Sequence, residues 1–139
     1  MDTSARHLVL HGAIVLLIGL LCGAPYGHAI NRNAPAHIIH SWRVAHASLP
    51  MGGILMLTVA ALLSHFSVEV YVKWLISSAF IASSYAFCVS LPLAALVGYR
   101  GLSGEGPPAA KVVYAGNVVG AWLSVIGTLA LIYAAFVSV

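Results

Sequence analysis

The chain has 139 residues, of which 61% are hydrophobic and 6% charged, with a formal charge of +3. Soluble domains carry about a quarter charged residues, so this composition excludes a soluble globular protein and predicts an integral membrane one. The six basic residues are scattered near segment ends, which excludes nucleic acid as a partner and leaves the lipid bilayer as the surroundings. Cys22 and Cys88 lie in apolar stretches with neither CxxC nor CxxCH spacing, so they read as small core residues.

Four apolar segments follow one another, at about 8–24, 41–63, 72–97 and 112–137. Each is near or above the roughly 20 residues that a spanning helix needs. The predicted fold is all-α, a single domain over residues 1–139 formed by an up-down bundle of four transmembrane helices. His11 interrupts the first apolar run, which therefore reads as a span rather than as a signal peptide cleaved near Gly27-His28-Ala29. Leu21, directly before Cys22, also departs from a lipoprotein cleavage site. Arg32, Arg43, Arg100 and Lys111 face one side of the membrane, Arg6 and Lys73 the other. The positive-inside rule then places the first and third loops in the cytoplasm. The expected location is the inner membrane of a bacterium.

The second segment carries the densest chemistry. Pro50 to Ser64 gives only about 22 Å of helix, short of the roughly 30 Å of hydrocarbon, so the helix begins upstream and holds His46 within it. Pro50 has no N–H for the carbonyl of His46, which predicts a kink. Gly52 and Gly53 leave bare backbone beside it, where a helix or a planar ligand can approach. Gly19 with Gly23, and Gly116 with Gly120 and Ser124, form small-residue stripes that suit either packing inside the bundle or contact between chains.

Ionisable groups at membrane depth suggest function. His46 suits a metal or haem ligand, or else a tether to a carbonyl across the bundle. His11 is the only other histidine deep enough to pair with it; alone, His46 leaves an open iron position, whereas the pair would give an electron carrier. His37 and His40, one turn apart, read as a metal site with His46 or as solvated interfacial side chains. Tyr85 lies midway along the third segment, where a phenol seeks a partner. Asn117 reads as a polar link between helices.

Taken together, His11-Gly12, Trp42 through Ala45-His46 to Gly53, Tyr85 and Arg100-Gly101-Leu102-Ser103 make the chain similar to the styrene oxide isomerase family. The resemblance covers most of the chain and rests on the order and spacing of these four stretches. It implies a homotrimer with ferric haem b near the subunit boundaries, His46 as the axial ligand and Tyr85 as an active-site residue. The implied activity is conversion of a small hydrophobic epoxide, styrene oxide or a relative, to an aldehyde by Lewis-acid ring opening and a 1,2-hydride shift. Two positions depart from the family pattern. Its asparagine six residues after the histidine falls on Gly52, and its arginine two residues before falls on Val44, with Arg43 displaced by one. A glycine offers no side-chain hydrogen bond, so an alternative reading is a non-catalytic haem-binding protein of the same fold, an electron carrier or a haem or gas sensor.

Overall fold

A computed structural model describes residues 1–139 and contains five helices and no strand: α1 (Thr3–Leu21), α2 (Gly23–Asn31), α3 (Ala36–Leu63), α4 (Val70–Val97) and α5 (Pro108–Val137). Together α1 and α2 form one apolar stretch of 29 residues broken at Cys22, followed by spans of 28, 28 and 30 residues. A 28-residue helix is about 42 Å long, so the ends reach beyond the hydrocarbon of a bilayer. The chain is an integral membrane protein with four spanning segments.

Every span is longer than its apolar run predicts. The first starts at Thr3 rather than at Leu8, because Asp2 caps it and lets its polar first turn remain helical. It also continues through α2 to Asn31, a stretch whose Gly, Pro, Tyr and His residues lack a sustained apolar period. The second begins at Ala36 rather than Ser41, directly after Pro35, whose fixed backbone suits a helix start. That places His37 and His40 inside α3. The fourth starts at Pro108, at the first helical position, where a missing N–H costs nothing. Pro50 and Pro92 both lie inside unbroken helices.

The backbones of α1, α3 and α4 pack against one another as a triangle, and α5 packs on α4 alone. The main core joins Leu8 and Val15 of α1, Met56 and Leu63 of α3, and Ile76 and Phe80 of α4. A smaller cluster holds Cys22 with Ala45 and Leu49; both cysteines are free thiols. Glycine sets the helix separations. A Cβ on Gly12 would meet the Gly53 carbonyl, and one on Gly53 would lie 2.7 Å from backbone atoms of α1, so these two mark a close backbone approach of α1 and α3. Both small-residue stripes are spent within the chain: Gly19 and Gly23 face α3, while Gly116 and Gly120 face Ser90 and Phe87 of α4. Asn117 joins α5 not to a helix but to the preceding loop, donating to the Arg100 and Gly101 carbonyls at 3.4 and 3.5 Å.

At the N-terminus, the Asp2 carboxylate accepts from the Ala5 amide at 3.0 Å and the Ser4 hydroxyl at 2.9 Å, and pairs with Lys73 at 3.3 Å. Burial pushes its pKa up, but these hydrogen bonds and the lysine charge outweigh it and hold the carboxyl below its ordinary value. A depressed folded-state pKa adds stability above the unfolded value that is lost as pH falls through the folded one. Asp2→Ala is expected to cost about 1 kcal/mol at neutral pH, with the deficit narrowing in acid, as read from thermal melts of the detergent-solubilised protein.

Candidate functional site

His46 projects from α3 onto the last turn of the α1 helix, where carbonyls run out of intrahelical donors. Its Nδ1 lies 3.0 Å from the Gly19 carbonyl oxygen. A carbonyl only accepts, so Nδ1 carries the proton and donates. In the neutral imidazole the lone pair then sits on Nε2. The ring lies over Gly23, where a Cβ would come within 2.9 Å of Cε1, and Tyr26 of α2 is tilted beside it at 6.1 Å between centroids. One turn further along α3, Pro50 occupies the space that a Cβ on Gly19 would need. The Gly19 and Gly23 pair is thus the seat for Pro50 and His46. The tether reading and the ligand reading of His46 are compatible, because the tether uses one nitrogen and leaves the other free. A histidine that donates Nδ1–H to a backbone carbonyl is oriented for metal ligation through Nε2.

Tyr85 sits on another side of the triangle. Its hydroxyl lies 2.9 Å from Nδ1 of His11, with the two rings edge to face. His7, one turn before His11, stacks on it at 5.9 Å with 12° between the ring planes, and Trp74 of α4 packs against His7. The spacing of His7 and His11 was open to reading from the sequence; their joining to Tyr85 depends on how α1 meets α4. His11 and Gly19 are about 12 Å apart along α1, eight residues at 1.5 Å each. Within one chain His11 and His46 thus have separate partners, Tyr85 and the Gly19 carbonyl.

Gly52 faces a third direction. Six residues beyond His46, it lies about 120° away around the helix. It lines a cleft of about 300 Å³ between α3, α4 and α5, together with Ser48, Phe80, Ser84, Phe87 and others, and neither His46 nor Tyr85 reaches it. Of the two adjacent glycines, Gly53 is consumed by helix packing, whereas only the Ser84 hydroxyl lies within 4 Å of a Cβ placed on Gly52. The cleft's serines are not visible in the sequence as a group, since they come from three helices.

Arg43 is exposed and donates from Nη2 to Nδ1 of His40 at 2.8 Å. No three His, Cys, Asp or Glu side chains converge to hold a metal ion. This corrects the reading of His37, His40 and His46 as one metal site. His40 is bound to Arg43 on the surface, while His46 turns inward to α1.

Gly19→Ala is expected to separate α1 from α3, because its methyl would overlap backbone and ring atoms of Pro50 that cannot rotate away. The cost is about 1–3 kcal/mol. Gly23→Ala would instead displace the His46 ring. Thermal melts should therefore show a larger loss for Gly19→Ala than for Gly23→Ala.

A comparison with curated protein sequences gave no match. The family model described as styrene oxide isomerase matches residues 4–136, from the first turn of α1 to the end of α5. The chain belongs to the styrene oxide isomerase family.

Proposed function

We propose that this protein is a haem b-dependent membrane isomerase that converts a small hydrophobic epoxide to the corresponding aldehyde. Membership of the styrene oxide isomerase family over nearly the whole chain supports an isomerase of that kind. The observation that carries the cofactor assignment is the 3.0 Å bond from His46 Nδ1 to the Gly19 carbonyl. It fixes the tautomer that an axial histidine needs, and the half-buried ring keeps its second nitrogen for the cofactor. Ferric haem b, when bound, supplies a Lewis acid for opening the epoxide C–O bond.

The reaction neither gains nor loses atoms or electrons: the benzylic C–O bond opens, a hydride shifts to the adjacent carbon, and a C=O forms. The task of the chain is to orient the epoxide and exclude water, which would trap the cationic carbon. Four apolar spans with lipid around them meet the second requirement. Tyr85 contributes a positioned phenol: when the proton of His11 is on Nε2, the Tyr85 hydroxyl donates to Nδ1 and turns its oxygen lone pairs outward. An electron-rich oxygen aimed at the substrate would favour the carbon that becomes cationic.

His46, Tyr85 and Gly52 face apart within one chain, so this reading calls for more than one chain at the reacting centre. The assembly proposed is a homotrimer, in the inner membrane of a bacterium. Arg43, tied to His40 at the surface near His46, is placed to pair with an acidic edge of the cofactor. Gly52 favours a second reading, a haem protein of the same fold without isomerase activity, because it presents no side chain to a substrate oxygen.

The ferric absorption spectrum separates the two. A five-coordinate spectrum that shifts on addition of an aryl epoxide, with aldehyde formed, is expected. A six-coordinate spectrum inert to epoxide would establish the non-catalytic reading. His46→Ala should lose haem while remaining inserted in the membrane, and His11→Ala should retain it; equal bleaching by both would overturn single-histidine ligation. Tyr85→Phe is expected to keep haem and to lower turnover by about tenfold or more, in the range for loss of one oriented polar group at a transition state. Unchanged turnover would remove Tyr85 from the reacting centre.

A further inference from the structure

We propose that the cleft between α3, α4 and α5 binds a single-ring aromatic molecule carrying one oxygen acceptor, and that the Ser84 hydroxyl is the group that recognises the oxygen. This assignment rests on the epoxide reading above and gives that substrate class its binding determinant.

Volume and walls limit the occupant. The cleft holds about 300 Å³, the lower end of the range for small-molecule sites. One ring with a short substituent fits that space, while a porphyrin exceeds it. Phe80 and Phe87 supply aromatic walls, and Gly52 leaves a gap between the Ser48 and Leu55 side chains of the opposite wall. Ser48 lies exposed on α3, and between the walls lies one buried hydroxyl with unspent capacity.

The hydroxyls of the cleft are not equivalent. Ser83 is committed, with the Gly120 carbonyl and the Ser124 hydroxyl each 2.7 Å away, and Ser124 donates to the same carbonyl at 2.9 Å. Ser84 is 9% exposed, and its hydroxyl donates only to the thioether sulfur of Met56, at 3.1 Å. A thioether is a weak acceptor. An epoxide or carbonyl oxygen entering the cleft offers a stronger one at no cost to any other bond in the helix bundle. Ser84 also lies 3.8 Å from the point where a side chain on Gly52 would begin. The glycine therefore makes room for the substrate, and the facing serine provides the hydrogen bond that the glycine cannot.

The test uses the full-length protein in lipid nanodiscs and fluorine NMR of two probes of similar shape, 4-fluoroacetophenone, which has an acceptor oxygen, and 4-fluoro-ethylbenzene, which has none. Ser84→Ala is expected to weaken the ketone about five- to tenfold, the scale of one hydrogen bond, and to leave the hydrocarbon within about twofold. Gly52→Leu should weaken both probes by more than about tenfold by filling the cleft. Equal effects of Ser84→Ala on the two probes or unchanged binding to Gly52→Leu would each overturn the assignment, as would absence of saturable binding to the wild type because an acyl chain fills the cleft. If the expected pattern holds but no aldehyde forms from an aryl epoxide, the cleft assignment stands and the isomerase reading falls.

Discussion

The bond from His46 to the Gly19 carbonyl organises the α1–α3 half of the bundle. Interhelical hydrogen bonds in membranes contribute only about 0.6 kcal/mol on average, so its importance lies in orientation more than in energy. It requires the imidazole to lie against the junction of α1 and α2, which requires Gly23 beneath it and Gly19 beneath Pro50. A methyl group at either glycine would meet α3 before the ring could dock. Further along the same pair of helices, Gly12 and Gly53 allow backbone contact. One polar bond and four glycines thus fix the relation of the two helices, and with it the direction of the free nitrogen.

The fold was legible because a bilayer admits few solutions: 61% hydrophobic residues in four runs leave little besides four spanning helices. Helix ends were less legible. Apolar runs mark where lipid begins, whereas helices continue into the headgroups as long as a cap such as Asp2 or a proline such as Pro108 supports the first turn. The value of individual glycines could not be read from a stripe. Gly52 and Gly53 are adjacent and chemically identical, yet one is filled by a neighbouring backbone and the other opens a cleft. Only tertiary placement separates them. The same holds for Ser84, one of several serines on α4, whose thioether partner lies 28 residues away.

The candidate site residues occupy separate faces for a geometric reason. A helix advances 100° per residue, so His46 and Gly52, and likewise Ser84 and Tyr85, cannot point the same way. In a thin bundle every face that is not packed inward lies at the boundary with lipid or another chain. On the proposed haem reading, sharing the cofactor between chains would give so small an interior the room it lacks, and faces turned apart within one chain suit that arrangement. The apolar groups left exposed on α5, among them Trp122, Leu129 and Phe136, suit lipid as well as a second chain.

The cleft itself follows from how α5 is attached. Its glycines let aromatic rings of α4 lie against its backbone: Phe87 faces Gly120, and Phe80 faces Gly127. These two rings are also cleft walls. With the rings seated on α5, and with the Ser83 and Ser124 hydroxyls meeting at the Gly120 carbonyl, α5 is held to α4 along one line. It does not approach α3. The gap between α3 and α5 is therefore a product of the small residues of α5, because larger ones would push Phe80 and Phe87 into the space beside Gly52. The glycine stripe of α5 and Gly52 of α3 act on the same volume from opposite sides. Ser84 lies between them, a buried hydroxyl held only by the Met56 thioether.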